Sequence, residues 1–155
     1  SLATLFFNNY LEKKYGTDTI ETKYIETSNN LISYELTAKE NIGFYDNILT
    51  INSLENVIYY DIKIFSDYPF PIYSANYPFD FFQTNDAAQF NLPENPPEKM
   101  DLEFLSDTNA NYTIEIVVYA LAPKSNISED IEIYVKSYSI EKSGAKLLWF
   151  LVIYT

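Results

Sequence analysis

The side chains able to do chemistry in this chain are 22 carboxylates, ten amines and 15 phenols; among its 155 residues there is no His, no Cys and no Arg, so every basic residue is a lysine. Paired carboxylates can act as general acid and base. None of these acids is set apart by its surroundings. Asp61 and Lys63 alternate with apolar neighbours and read as the solvated side of a strand, while Glu129 and Asp130 open another after a turn. No stretch carries the Asp/Asn/Gly spacing of a calcium loop, and the lack of Cys excludes disulfides, thiol catalysis and the usual zinc sites. The chain therefore reads as non-enzymatic, with no catalytic residue, no cofactor and no metal.

One further chemistry needs only the residues that are present. A buried Lys, an Asn and a nearby acid can form an amide crosslink with loss of ammonia, as is known in sandwich domains of surface filaments. Lys, Asn and acids are all available here. The mundane reading of each Lys is a surface charge, and an intact mass short by one ammonia separates the two. Two glycosylation sequons also occur, Asn111-Tyr-Thr113 and Asn126-Ile-Ser128, about as many as chance gives in a chain this rich in Asn, Ser and Thr. Asn126, in an expected turn over 122–129, is the first candidate for a glycan; Asn111 sits at a corner and is the less accessible.

The elements that position these groups are strands. In Asn111 to Ala120, Tyr112, Ile114, Ile116, Val118 and Ala120 share one face with period two, the signature of a half-buried strand. Asp130 to Lys136 repeats the period with Ile131, Ile133 and Val135. Met100 to Leu105 adds a strand with Leu102 and Phe104 inward. Earlier, Leu31 to Ala38 offers Ile32, Tyr34, Leu36 and Ala38, Val57 to Phe65 offers Ile58, Tyr60, Ile62 and Ile64, and Phe44 to Ile51 contributes another. Turn formers lie at 106–110, 122–129 and 141–144. Seven to nine short strands, with no βαβ alternation and no repeat, predict an all-β, antiparallel two-sheet sandwich.

The junction Asp107 to Tyr112 narrows this to an immunoglobulin-like sandwich. In that fold a Tyr near the start of the sixth strand bonds back to the preceding corner, and Ala110-Asn-Tyr112 resembles its Ala-x-Tyr pattern. The acid usually found two residues before the Ala stands one position further back, at Asp107. An ordinary strand-initiating Tyr is the competing reading.

One domain over 16–155 with an arm over 1–15 fits the length and the 47% hydrophobic content. Five of the seven Pro lie between Pro69 and Pro96, so about 66–99 reads as a long excursion whose rings, in Tyr68 to Tyr73 and Tyr77 to Phe82, must be buried or bind something. The net charge of -12 repels nucleic acid and anionic lipid. The longest apolar run, Leu147 to Tyr154, has eight residues, far below the ~20 that span a bilayer as a helix. It also lacks alternation, so both of its faces must be covered, by the middle excursion or by another copy.

At the other end, Leu2 to Leu11 is an apolar arm that is stable only when docked in its own fold or a neighbour's groove. Its anchors are Leu2, Leu5, Phe7 and Leu11, read either as a strand or as a helix. This arm, the acidic Cys-free sandwich and the sequons together resemble subunits of the non-flagellar surface filaments of heat-loving archaea, including the thread-like filaments of the Sulfolobales, and the soluble β-domain of archaellum-associated proteins. A pilin-type N-terminus would be a longer unbroken helix, whereas Asn8 and Asn9 interrupt this arm.

The resemblance implies a secreted, extracellular or cell-surface subunit. Its partners would be other copies of itself, joined head to tail as each arm adds a strand to the next subunit's sheet. A first residue of Ser fits removal of a signal peptide and fits recombinant truncation equally. From a different class, the chain reads as a monomeric binding module whose loop 68–82 meets a carbohydrate or protein. A viral coat or accessory protein comes next, and a two-carboxylate hydrolase last.

Overall fold

Among the described residues, the segments that alternate in the sequence become strands. The computed structural model describes residues 21–66, 73–74, 81–83, 87–90, 92–123 and 130–144. Among the described residues there are ten strands and no helix: β1 (Glu21–Glu26), β2 (Ile32–Glu40), β3 (Phe44–Ser53), β4 (Val57–Ser66), β5 (Tyr73–Ser74), β6 (Phe81–Gln83), β7 (Ala87–Phe90), β8 (Lys99–Asp107), β9 (Tyr112–Leu121) and β10 (Asp130–Lys142). They form a sandwich of two sheets, ordered β1-β10-β9-β4-β7-β6 and β2-β3-β8-β5. All pairings are antiparallel except that of β1 on β10.

The order is that of an immunoglobulin-like sandwich. Taken in chain order, β2, β3, β4, β5, β8, β9 and β10 fall at the A to G positions, with A, B, E and D in one sheet and C, F and G in the other. The additions are β1 beside G, and β7 and β6 beside C. Strands β5, β6 and β7 are two, three and four residues long and lie in the Pro-rich excursion. They take the count past nine, and segments so short show no readable period. Proline removes backbone donors and so disfavours long runs of pairing.

The core lies between the sheets. Tyr60, Ile62 and Ile64 of β4 and Ile114, Ile116, Val118 and Ala120 of β9 face Leu49 and Ile51 of β3 and Met100, Leu102 and Phe104 of β8, all of them buried. Tyrosine hydroxyls at its margin tie segments together. That of Tyr138 accepts from the Leu31 backbone N–H at 2.9 Å, and that of Tyr60 lies 3.1 Å from Ser53 Oγ. A phenol fills apolar volume and still offers a polar tip, so a Cys-free core can be crosslinked by hydrogen bonds alone.

Three expectations are corrected. Ile58 does not share the face of Tyr60, because the register shifts between Val57 and Tyr59 and puts Ile58 in a separate apolar cluster. Tyr34 and Ala38 are exposed, since β2 is an edge strand with little to cover its length; Ile32 is buried and Leu36 partly so. The expected turn over 141–144 begins later, because β10 stays paired with β9 as far as Lys142 opposite Tyr112.

Candidate functional site

At one pole of the sandwich the inward row of β3 changes from apolar to polar. Leu49 and Ile51 are followed towards the pole by Asn47, which is completely buried, and by the partly buried Tyr45. Residues two apart on a strand share a face, so these four point between the sheets. Opposite Tyr45 on β8 stands Ser106, also buried. From the other sheet come Tyr112 at the start of β9 and Lys142 at the end of β10, directly opposite each other.

These five side chains form one network. Asn47 Nδ2 donates to Ser106 Oγ at 2.8 Å and to the Phe104 carbonyl at 3.1 Å, which fixes the carboxamide plane. Its Oδ1 accepts from Lys142 Nζ at 2.5 Å. The same nitrogen lies 3.6 Å from the centroid of the Tyr45 ring, within cation–π range. Burial pulls the Lys142 amine down to about 8 from an ordinary value of 10.5, the direction expected when a cation is desolvated. Burial raises the Tyr112 phenol, while bonds to the Asp107 backbone, Ser66 and Ser106 act the other way.

The chain on either side of the network is clamped. Tyr112 Oη accepts from the Asp107 N–H at 2.7 Å, and Asp107 Oδ1 accepts from the Asn109 N–H at 2.7 Å. The corner expected from Ala110-Asn-Tyr112 is therefore formed, with the displaced acid capping the turn. Beyond Lys142, the Gly144 N–H donates to Asn111 Oδ1 at 2.8 Å. A Cβ on Gly144 would stand 2.7 Å from the Asn109 carbonyl carbon and oxygen, so the backbones meet at a distance only Gly permits.

A second feature lies on the outer side of the six-stranded sheet. Ile58, Tyr119, Ile131 and Ile133 are buried there, with Tyr24, Tyr59, Val117, Leu121 and Val135 packed around them. Tyr119 meets Tyr24 edge-on at 6.4 Å and Tyr59 at 5.8 Å. Burial raises all three phenols, that of Tyr24 to about 12. The sheet is thus apolar on both faces at this end. The continuous run Ile116 to Leu121 carried that signal, which a reading of even positions alone passes over.

Among the other residues singled out from the sequence, Asn111 is exposed at the corner and spends its carbonyl oxygen on Gly144. Asp61 accepts from Gln89 Nε2 at 2.9 Å across β4 and β7. Leu2, Leu5, Phe7, Leu11 and Asn126 lie outside the described residues, as does the apolar run 147–154. On the outer face of the four-stranded sheet, Asp46 hydrogen-bonds Glu103 and raises the latter's carboxyl. Among the described residues no group of three or more acids could hold a metal ion, and no helix is long and apolar enough to cross a membrane.

Strand order and corner define an immunoglobulin-like β-sandwich. Residues 8–138 match the TP_0564_3rd family, described as a family third domain, and the chain belongs to that family. Comparison with curated proteins gives no match.

Proposed function

We propose that this chain is a non-enzymatic structural module of an extracellular or cell-surface assembly, linked to other copies head to tail through its N-terminal arm. The observation that carries this reading is the outer apolar layer around Ile131 and Ile133. The outside of a free-standing sandwich is normally solvated, whereas Ile131 and Ile133 have no exposed surface within the single chain, so this sheet carries a covered outer face of the kind an added strand or arm packs against. A family defined as a third domain supports a part that operates beside others.

Strand addition is the mechanism the arm suits. Main-chain bonds to a sheet edge would supply the hold, and Leu5, Phe7 and Leu11 would fill alternate pockets. Such a contact does not close on itself and so generates a filament. Deletion of residues 1–12 followed by sedimentation and electron microscopy tests it. Loss of polymers is the expected result, and fibres that form undiminished without the arm overturn it.

A further inference from the structure

Lys142 and Asn47 are 95 residues apart in sequence, and they meet between the sheets with a nitrogen-to-oxygen distance of 2.5 Å. Asn47 is fully buried and its carboxamide cannot swing away, because both Nδ2 hydrogens are directed to acceptors on β8. Among the described residues, the amine facing it has a carbonyl oxygen and a ring face as its partners. The cation is only part-buried, yet its desolvation against Asn47 is unfavourable, and two routes relieve it: loss of a proton or conversion to a neutral group. We propose that Lys142 Nζ and Asn47 Cγ become joined by an intramolecular amide bond, formed by the folded chain acting on itself.

The step is balanced without a co-reactant. The lone pair of the neutral amine adds to Cγ, forming the Nζ–Cγ bond while the carbonyl electron pair moves onto Oδ1. Collapse of this intermediate restores the carbonyl and breaks Cγ–Nδ2. Nδ2 departs as ammonia, carrying its own two hydrogens and one from Nζ, and the new amide keeps the other N–H. Burial favours the reactive form, since an amine near 8 is neutral in a useful fraction at mildly alkaline pH.

Ser106 Oγ, 2.8 Å from Nδ2, is placed to relay the proton to the leaving nitrogen, and the Tyr112 phenol hydrogen-bonds that serine. These hydroxyls stand where a carboxylic acid would otherwise be required. Tyr45, Ser106 and Tyr112 are positioning residues in this scheme; the reacting groups are Lys142 and Asn47.

Intact mass of the denatured full-length chain decides the matter. The expected mass is the sequence mass less one ammonia, with a proteolytic peptide that joins the segments around residues 47 and 142. Lys142→Met and Asn47→Ala should each restore the full sequence mass. Asn can also lose ammonia by cyclising onto its own backbone, so a deficit that persists in Lys142→Met overturns the proposal. Full sequence mass in the wild-type chain after prolonged incubation at pH 9 overturns it too. Ser106→Ala should slow appearance of the deficit without abolishing it, and an unchanged rate would remove the proposed relay.

Discussion

The Tyr112 hydroxyl accepts a hydrogen bond from the backbone N–H of Asp107, five residues upstream, at 2.7 Å, and so locks the turn that delivers β9 to the core. Tyr112→Phe leaves the ring in place and orphans that donor. Leaving a fully buried N–H unsatisfied costs about 1–3 kcal/mol, and this part-buried donor belongs at the lower end of that range. Urea unfolding should show a loss in that range at unchanged m-value; a neutral effect would mean that water satisfies the Asp107 amide.

Ile116 and Ile133 test whether the outer cluster is a core in its own right. Both are fully buried, one between the sheets and one on the outer side. Truncating a buried Ile to Ala costs roughly 2–5 kcal/mol. Ile133→Ala should therefore be as damaging as Ile116→Ala in chemical denaturation, whereas a loss below about 0.5 kcal/mol, typical of surface sites, would demote the outer layer to surface.

Stability should rise with pH between about 8 and 10.5 in any chain whose Lys142 is still a free amine. The folded amine titrates near 8 and the unfolded one near 10.5. Across that window the unfolded state binds more protons, so raising the pH favours folding. Phenols act in the opposite sense: Tyr24 stays protonated to about 12 when folded, so ionisation of the unfolded chain above 10 weakens the fold. Urea midpoints measured from pH 7 to 11 should show the rise in the uncrosslinked protein and lose it in Lys142→Met. The crosslinked protein should also lack it, its amine having become an amide.

Gly144→Ala should destabilise by about 1–3 kcal/mol, the usual cost of forcing extra volume into a packed site. The added methyl would press on the Asn109 backbone, which cannot retreat while Asp107 and Tyr112 hold the corner. A thermal scan with no shift would show that the segment after β10 can move aside.

The strands easiest to read in the sequence are those buried on one side only. Leu102 and Phe104, or Tyr60, Ile62 and Ile64, alternate with residues that meet solvent, and the structure buries each of them. Ala110 and Tyr112 also revealed the corner, because a local hydrogen bond leaves a local pattern. Ile58 was beyond reach, since a register shift is decided by pairing with β9 and not by β4 alone. The contact of Lys142 with Asn47 had no local trace either. Its single hint was an Asn at an inward position of a strand that otherwise buries Leu49 and Ile51, a polar residue that folding must provide with partners.

Because β1 runs parallel to β10, the start of one and the end of the other lie at opposite ends of a shared ladder, in register from Glu21 beside Asp130 to Glu26 beside Val135. Tension applied between the chain's entry into β1 and its exit from β10 pulls the two strands lengthwise past each other. The rungs then carry the load together and do not open one after another, as they would in an antiparallel pair pulled from the same end. A domain so connected resists stretching along its own chain path, a mechanical property that follows from the direction of one six-residue strand.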